Sequence, residues 1–363
     1  MSAAALSIRE VRTTPVVAPL KYPVTTASGT LGEAPLLLID LITAEGVTGR
    51  AYLLAYQRLA LKGLDELVKA LGATLVGQPV VPAELEPQMR ARYTLLGGAR
   101  GLAGIAVSGL DMALWDALAQ GAGLPLVNLL GGKARPIRAY NSLGMVSEKN
   151  AAEVAARSFA NGFTAAKYKI GWPTFAEDLA AVRAFRKAAP AGATLMVDFN
   201  QSLTVAEAIR RARGLDGEGL AWIEEPVRCD DFIGCSQVAA AVETPIQIGE
   251  NFSGTFEMAN ALRLRACDYV MPDPQQIGGV SGWLRAAALA QAAGVECSTH
   301  LFIEVSAHLL PVTATCHWLE FLDVAGAVLQ EPPRVVDGAV TASDRSGNGL
   351  AWDEAAVKRY RVE

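Results

Sequence analysis

Short apolar segments alternate with longer segments rich in Ala, Leu and Arg from about residue 137 onward. The apolar segments are PIRAYNS, TAAKYKIG, TLMVDFN, LAWIEEP, PIQIGEN, DYVMPDP, VECSTHL and HWLEFL. Apolar runs of this length predict buried strands, and strands that alternate with helices predict parallel β/α units. Eight such units predict an α/β fold built on a closed (β/α)8-type barrel.

The first third of the chain has a different pattern. Residues 5–54 hold β-type runs, in which the pair EG suggests a hairpin tip and YPVTTASGTLG is predicted to be a loop. Helical patterns follow from about 60 to 95 and over GIAVSGLDMALWDALAQ. We therefore expect an N-terminal α+β capping domain over residues 1–132 and the barrel over 133–330. Residues 331–363 are predicted to return to the capping domain, where VVDGAV can add a strand.

Composition narrows the class of protein. Hydrophobic residues make up 51% of the chain, yet we expect no apolar run of the roughly 18 to 20 residues that span a bilayer. The first residues lack the basic segment of a signal peptide, so a cytoplasmic location is expected. The net charge of −5 and the lack of basic clusters argue against a nucleic-acid partner. Scattered cysteines without a C-x-x-C pair indicate reduced thiols, and three histidines are too few for a His-rich zinc site.

Nearly every predicted barrel strand ends in an ionisable residue. These residues are Lys167, Lys169, Asp198, Glu224, Glu250, Asp273, His300 and Glu320. The C-terminal ends of barrel strands converge on one mouth, where barrel enzymes hold their active sites. A single acidic strand end is more often a solvated carboxylate or a helix N-cap. Because successive strands repeat the pattern, the sequence favours a catalytic mouth.

Three of these carboxylates suit a metal ion. Asp198, Glu224 and Glu250 are evenly spaced, since 224 − 198 and 250 − 224 both give 26, about one β/α unit. Oxygen ligands without a nearby His or Cys suit a hard cation, so we expect one Mg²⁺ per subunit, for which Mn²⁺ can substitute. Asn200 shares the parity of Asp198 and is expected to face the mouth and orient a ligand or water.

The remaining ionisable strand ends suit proton transfer. Lys167 and Lys169 leave their strand on one face, where a neighbouring cation and a dry pocket would lower the pKa of one amino group enough for it to act as a base. A wet edge strand is the alternative for this pair. Asp273 can hold one nitrogen of His300 and leave the other for proton transfer. Glu320, on the last strand, is expected to donate a proton or a hydrogen bond to the substrate.

The assembled motifs resemble the mandelate racemase subgroup of the enolase superfamily. The resemblance covers nearly the whole chain and includes KYKIG, VDFNQS, WIEEP, GEN, MPD, IGGVSGW, STHLF and HWLE. It implies removal of the proton next to a carboxylate through an enediolate, with Lys169 and His300 as opposed bases and Lys167 and Glu320 stabilising the charge. It also implies racemisation of mandelate or a similar aromatic 2-hydroxy acid, a substrate contact from Ser142 and a homo-oligomer, often an octamer.

The predicted wall of the pocket separates the alternatives. Val24, Tyr56 and Leu301 are expected to contact the substrate, and with Leu54 and Leu322 they suggest an apolar wall suited to an aromatic ring. An acid-sugar dehydratase would use the same metal and bases, but a sugar acid needs several polar partners. A barrel that only binds a metal or a small acid is the third alternative, disfavoured because no base is missing.

Overall fold

The computed structural model describes residues 6–26 and 29–362, and its N-terminal domain combines a small sheet with helices. The antiparallel sheet consists of β1 (Ile8–Thr26), β2 (Gly29–Thr43) and β3 (Thr48–Leu54). The helices that follow are α1 (Arg58–Ala73), α2 (Pro82–Ala91), α3 (Gly101–Gly121) and the short α4 (Leu126–Leu129). The hairpin tip predicted at EG is the turn between β2 and β3.

Strands β1 and β2 form a long hairpin through the segment that the sequence predicts to be a loop. Their pairing runs from Ile8 opposite Thr43 to Thr26 opposite Gly29, with an irregularity between Pro19 and Val24. The loop prediction is therefore wrong for the described part of YPVTTASGTLG. Threonine, the polar residue of the described part, is β-branched and compatible with a strand when the partner strand supplies the backbone hydrogen bonds. Residues 27 and 28 lie outside the described residues.

Eight parallel strands close into the predicted barrel. They are β4 (Ile137–Met145), β5 (Ala165–Lys169), β6 (Thr194–Asp198), β7 (Ile223–Glu224), β8 (Ile246–Ile248), β9 (Tyr269–Val270), β10 (Glu296–Thr299) and β11 (Cys316–Phe321). Each strand pairs with the next, and β11 pairs with β4 to close the ring. Below the mouth the interior is filled by Tyr140, Ala165, Met196, Trp222 and Trp318. The barrel is therefore a packed core with a floor beneath its mouth.

Helices connect the barrel strands. They are α5 (Ala151–Phe159), α6 (Phe175–Ala188), α7 (Val205–Leu215), α8 (Phe232–Ala239), α9 (Thr255–Arg263), α10 (Pro274–Ile277), α11 (Gly279–Ala293) and α12 (Ile303–Leu309). Several begin at side-chain caps; at α6, for example, Thr174 and Glu177 form a reciprocal capping box. The chain after β11 lacks such a helix and continues into the C-terminal segment.

Helix α3 joins the N-terminal domain to the barrel. Among the described helices it alone is long and apolar enough to cross a membrane, which corrects the expectation that no apolar segment reaches that length. Its apolar window is 78% buried inside the protein, which is typical of a core helix. The buried Asp111 of α3 accepts hydrogen bonds from the backbone N–H and the hydroxyl of Ser281 on α11, at 2.9 and 2.6 Å.

The C-terminal segment contains β12 (Ala339–Val340) and α13 (Glu354–Tyr360). Strand β12 pairs with β4, so the strand predicted in VVDGAV joins the barrel sheet and not the N-terminal sheet. Later residues do contact the N-terminal domain: the backbone N–H of Asn348 donates to Asp116 at 2.6 Å, and that of Val362 donates to the carbonyl of Pro15 at 3.1 Å. The segment thus packs against both parts of the protein.

Candidate active site

The two lysines of β5 point into the barrel. All five residues of this strand are buried, and β5 pairs with β4 on one side and β6 on the other, which rules out the alternative of a wet edge strand. Tyr168, between the lysines, points outward and stacks on Phe185 of α6 with ring centroids 4.3 Å apart. Strand alternation therefore places Lys167 and Lys169 together in the interior, where they are 1% and 8% exposed.

Three carboxylates meet at the ends of adjacent strands. Asp198 ends β6, Glu224 ends β7, and Glu250 follows β8 by two residues. One oxygen of each lies within 4.8 Å of the others, with Asp198 and Glu224 fully buried. The structure thus brings together the three residues that the sequence predicts as metal ligands. A donor set of carboxylate oxygens fits a hard divalent cation such as Mg²⁺.

The groups beside this cluster supply a test of that fit. The side-chain N–H of Asn200 donates to Asp198 at 3.0 Å, and the side-chain carbonyl oxygen of Asn200 is buried without a hydrogen-bond partner. Glu225 accepts from Asn251 at 2.9 Å through one oxygen, while its other oxygen is buried and unpaired. Burial raises the pKa of Glu224 to about 7 and that of Glu225 well above its usual range. A cation would relieve this surplus of oxygen acceptors and negative charge.

The amino groups of both lysines touch the cluster. Lys169 donates to Asp198 at 2.7 Å, whereas Lys167 bonds to Glu224 and lies 3.0 Å from Glu320. Burial lowers the pKa of each amino group, but the neighbouring carboxylates outweigh it and raise the pKa. The direction of the shift is therefore opposite to the predicted lowering of a lysine pKa. Positive charge bound at the carboxylates would act in the opposite direction.

His300 and Asp273 form the predicted pair. His300 Nδ1 lies 2.6 Å from a carboxylate oxygen of Asp273, whose other oxygen accepts the backbone N–H of Gln275 at 2.6 Å. His300 Nε2 faces the mouth, 3.5 Å from Glu250 and 3.6 Å from Glu320. Burial opposes a charged imidazole, but these carboxylates raise the pKa of His300 to about 10. The geometry leaves Nε2 available for proton transfer.

Glu320 is held at the centre of the mouth. It accepts the backbone N–H of Leu301 at 3.1 Å and a hydrogen bond from Ser142, and it pairs with Lys167. Leu301 has a φ of 49°, a left-handed conformation that costs a non-glycine residue energy. Although burial opposes ionisation, Lys167 and His300 lower the pKa of Glu320 to about 2. Glu320 must therefore take up a proton before it can act as the predicted donor.

The residues predicted to contact the substrate fall into two groups. Val24 of β1 and Ser142 of β4 line a cavity of about 390 Å³, together with Leu322 just beyond β11. Leu301 and Tyr56 do not line this cavity. Tyr56 follows β3, is 40% exposed and has a φ of 57°; desolvation and the charges of Asp273 and Glu250 raise the pKa of its hydroxyl.

Polar residues behind the site also hold it in place and were not predicted from the sequence. Trp222 and Gln247 each donate a side-chain N–H to the same oxygen of Glu224 at 3.0 Å. The carboxamide of Gln275 bonds to the backbone of Leu54 at the end of β3. The available signals were the glutamine within the otherwise apolar segment PIQI and the two glutamines of DPQQI.

The chain matches two family models and solved structures with the same fold. Residues 8–131 match the mandelate racemase / muconate lactonizing enzyme N-terminal domain, and residues 150–356 match the enolase C-terminal domain-like family. An enolase from Bradyrhizobium, crystallised with magnesium and mandelic acid, is 46% identical, with all of both chains covered and a TM-score of 0.96. The chain therefore belongs to the enolase superfamily, in its mandelate racemase subgroup.

Relatives with other activities are also similar. The L-talarate/galactarate dehydratase of Salmonella typhimurium is 33% identical over 350 residues, which cover 93% of this chain and 87% of the dehydratase. The L-talarate dehydratase of Polaromonas, crystallised with magnesium and L-glucarate, is 29% identical, with a TM-score of 0.89. The match covers 99% of this chain and 98% of the dehydratase. The similarities identify an enzyme of this superfamily and leave its particular reaction open.

Proposed function

We propose that this protein is a Mg²⁺-dependent racemase that interconverts the enantiomers of mandelate or a similar aromatic 2-hydroxy acid. The observation that carries the proposal is the placement of two bases at opposite ends of one row of carboxylates. Lys169 contacts Asp198 at one end of the row, and His300 faces Glu250 at the other. A base on each side of a bound substrate allows a proton to be removed from one face and replaced on the other.

The carboxylate row suits Mg²⁺, and Asp198, Glu224 and Glu250 would hold it. When bound, the ion supplies Lewis-acid polarisation of the substrate carboxylate, which makes the neighbouring proton more acidic. Lys167, buried beside Glu224, places a positive charge where negative charge develops as that proton leaves. Glu320, once protonated, can donate a hydrogen bond to the carboxylate oxygen of the enediolate.

The bases then act on the reacting carbon. Lys169 Nζ or His300 Nε2, whichever is in its neutral form, removes the proton from its own side, and the other group, in its protonated form, returns a proton from the opposite side. Asp273 keeps His300 oriented through Nδ1 and stabilises the imidazolium that forms. Retention of the enediolate between the two steps depends on the low exposure of Lys169 and His300, each 8% exposed.

The apolar residues of the cavity favour an aromatic substrate. Val24, Leu322 and Phe321 give the cavity beside Ser142 apolar surfaces. Such surfaces contribute binding energy through burial of a ring, whereas the hydroxyl groups of a sugar acid need polar partners. The Bradyrhizobium enolase that was crystallised with mandelic acid supports the same substrate class.

An acid-sugar dehydratase is the second candidate. The similar dehydratases from Salmonella and Polaromonas favour it, and the cavity also contains the polar side chains of Asn141, Arg157 and Asn161. In that reaction, one base would remove the proton next to the carboxylate, and His300 would protonate the departing hydroxyl. The two candidates share every group around the metal and differ in what the pocket binds.

The first experiment is proton NMR of the purified enzyme with Mg²⁺ and (R)-mandelate in D₂O, followed by chiral analysis. Loss of the α-proton signal with formation of the (S) enantiomer is the result expected of the racemase. Absence of exchange with mandelate, together with keto-acid formation from galactarate or talarate, would overturn it in favour of the dehydratase.

We also propose that the small acid is the main partner of a cytoplasmic homo-oligomer, an octamer by resemblance, with no nucleic-acid or membrane partner. The net charge of −5 and the burial of α3 support the last two points.

A further inference from the structure

A chain of buried hydrogen bonds leads from Glu224 to the opposite end of the barrel. Gln247 donates its amide N–H to Glu224 at 3.0 Å, and Ser298 donates to the carbonyl of Gln247 at 3.1 Å. His317 Nδ1 lies 3.2 Å from the Ser298 hydroxyl oxygen, and its Nε2 lies 3.5 Å from Glu296, whose side chain is 49% exposed. The chain therefore connects the proposed metal site to the solvent-facing start of β10.

The chemistry of Glu224 fixes the direction of every bond in this chain. As a metal ligand Glu224 is a carboxylate and only accepts, so Gln247 must turn its NH₂ group toward it. The carbonyl of Gln247 then needs a donor, and the single proton of the Ser298 hydroxyl supplies it. The hydroxyl oxygen is left to accept, and it can do so from the Nδ1–H of His317.

His317 is held in a form that meets this requirement. Burial, helped by the charge of Arg138, lowers the pKa of His317 to about 4, so the imidazole is neutral at neutral pH. Its ring packs against Tyr269 and Trp222, with centroids 4.6 and 5.6 Å away. A neutral ring that donates through Nδ1 carries no proton on Nε2, the atom that faces Glu296.

We propose that Gln247 is a positioning residue for Glu224 and that His317, at the far end of the barrel, sets the orientation of its amide through Ser298. This inference rests on the Mg²⁺ site of the proposed function. Without the Nδ1–H, Ser298 would turn its proton toward His317, and the carbonyl of Gln247 would lose its donor. The amide of Gln247 would then no longer be held with its NH₂ group against Glu224.

A second buried histidine, His308, allows the tautomer of His317 to be compared within the same protein. His308 is also buried, but it accepts the backbone N–H of Val127 at its Nδ1, 3.2 Å away, and its Nε2 lies 3.3 Å from the carbonyl of Asn348. This arrangement requires the proton on Nε2, opposite to the tautomer assigned to His317. The chain has three histidines, so the two patterns can be separated.

Magic-angle-spinning NMR of the ¹⁵N,¹³C-histidine-labelled wild-type protein at neutral pH measures these tautomers. The expected result is one neutral ring protonated at Nδ1, lost from the spectrum of His317→Asn, and one protonated at Nε2, lost from that of His308→Asn. A His317 protonated at Nε2 would overturn the inference even if Mg²⁺ binds normally.

Calorimetric titration of the full-length protein with Mg²⁺ tests the consequence for the metal site. Gln247→Leu removes the amide and Ser298→Ala removes the donor to its carbonyl, so both are expected to weaken Mg²⁺ binding about tenfold or more, as loss of a group that orients a ligand typically does. His317→Asn, whose amide N–H can replace Nδ1–H, should retain most of the affinity.

His308→Leu, which removes the buried histidine of the other tautomer, serves as the control. Its Mg²⁺ dissociation constant should equal that of the wild type. Wild-type affinity in both Gln247→Leu and Ser298→Ala would refute the positioning role. A wild-type protein that binds no Mg²⁺ would instead refute the metal site itself, so failure of the network and failure of the proposed function give different results.

Discussion

The carboxamide of Gln275 hydrogen-bonds to both backbone groups of Leu54. Its oxygen accepts the N–H of Leu54 at 3.0 Å, and its nitrogen donates to the carbonyl at 3.2 Å. Gln275 also donates its own backbone N–H to Asp273. The end of β3, two residues before Tyr56, is therefore fixed directly to the barrel segment that holds the His300 partner.

Replacement of this side chain tests the connection. Gln275→Leu leaves two buried backbone groups without partners, so we expect the free energy of unfolding to fall by about 2–4 kcal/mol. We also expect KM to rise, because Tyr56 loses its fixed position over the mouth. Urea unfolding and steady-state kinetics measure the two effects. Gln276→Leu, at the half-buried neighbouring position, is the control, and equal unfolding midpoints for the two variants would contradict the prediction.

The two proposed bases can be separated by single substitutions. His300→Asn removes one base, so racemisation should fall about 100-fold or more. Lys169 remains, so exchange of the α-proton with D₂O should continue for the enantiomer that presents its proton to the lysine. Lys169→Met should show the converse pattern. Proton NMR of each enantiomer with each variant gives the measurement, and undiminished exchange of both enantiomers in either variant would rule out the two-base assignment.

The buried carboxyl of Asp111 should make stability depend on pH. Burial raises its pKa to about 7; Ser281 and Arg285 oppose this rise, and Glu86 adds to it. Because the pKa is higher in the folded protein, this contribution to stability is complete below pH 4 and is lost as the pH rises through 7. The stability of the wild type relative to Asp111→Asn should therefore fall by about 3 kcal/mol between pH 5 and pH 8. Urea unfolding of both proteins at the two pH values measures it, and a constant difference would contradict it.

Gly144 allows the β1–β2 hairpin to approach the end of β4. A Cβ atom at this position would lie 2.8 Å from the backbone nitrogen and 3.0 Å from the carbonyl oxygen of Thr25. Gly144→Ala should displace the hairpin at a cost of about 1–3 kcal/mol and raise KM about tenfold, with Mg²⁺ affinity unchanged. Kinetics and calorimetry test this. Gly32→Ala, on the same hairpin with nothing within 4 Å of the added Cβ, should behave as the wild type; a normal KM in both variants would show that the close approach has no effect.

The sequence predicts the barrel and the carboxylate row well because both depend on local periodicity. All the barrel strands but the last are followed by a helix, and ionisable residues at the strand ends repeat with that unit from β5 onward. Asp198, Glu224 and Glu250 could therefore be placed together without knowledge of any contact. The side-chain alternation that places Lys167 and Lys169 inside and Tyr168 outside is equally local.

The features that the sequence did not predict depend on partners far along the chain. The polar hairpin segment forms strands because β1 and β2 pair, and β12 joins β4 rather than the N-terminal sheet. The lysine pKa values rise because carboxylates from β6 and β7, which are distant from the lysines in the sequence, lie close to the amino groups. No role for His317 could be predicted, because its link to Glu224 passes through Gln247 and Ser298.

The contacts of the C-terminal segment with the N-terminal domain also constrain synthesis. Asn348 binds Asp116 and donates its side-chain amide to the carbonyl of Arg50, and Val362 binds Pro15. A ribosome must therefore translate the whole barrel before the N-terminal strands gain these partners. Until then Asp116 lacks the hydrogen bond from the Asn348 N–H. The nascent N-terminal domain therefore lacks the hydrogen bonds that the C-terminal segment supplies in the finished protein.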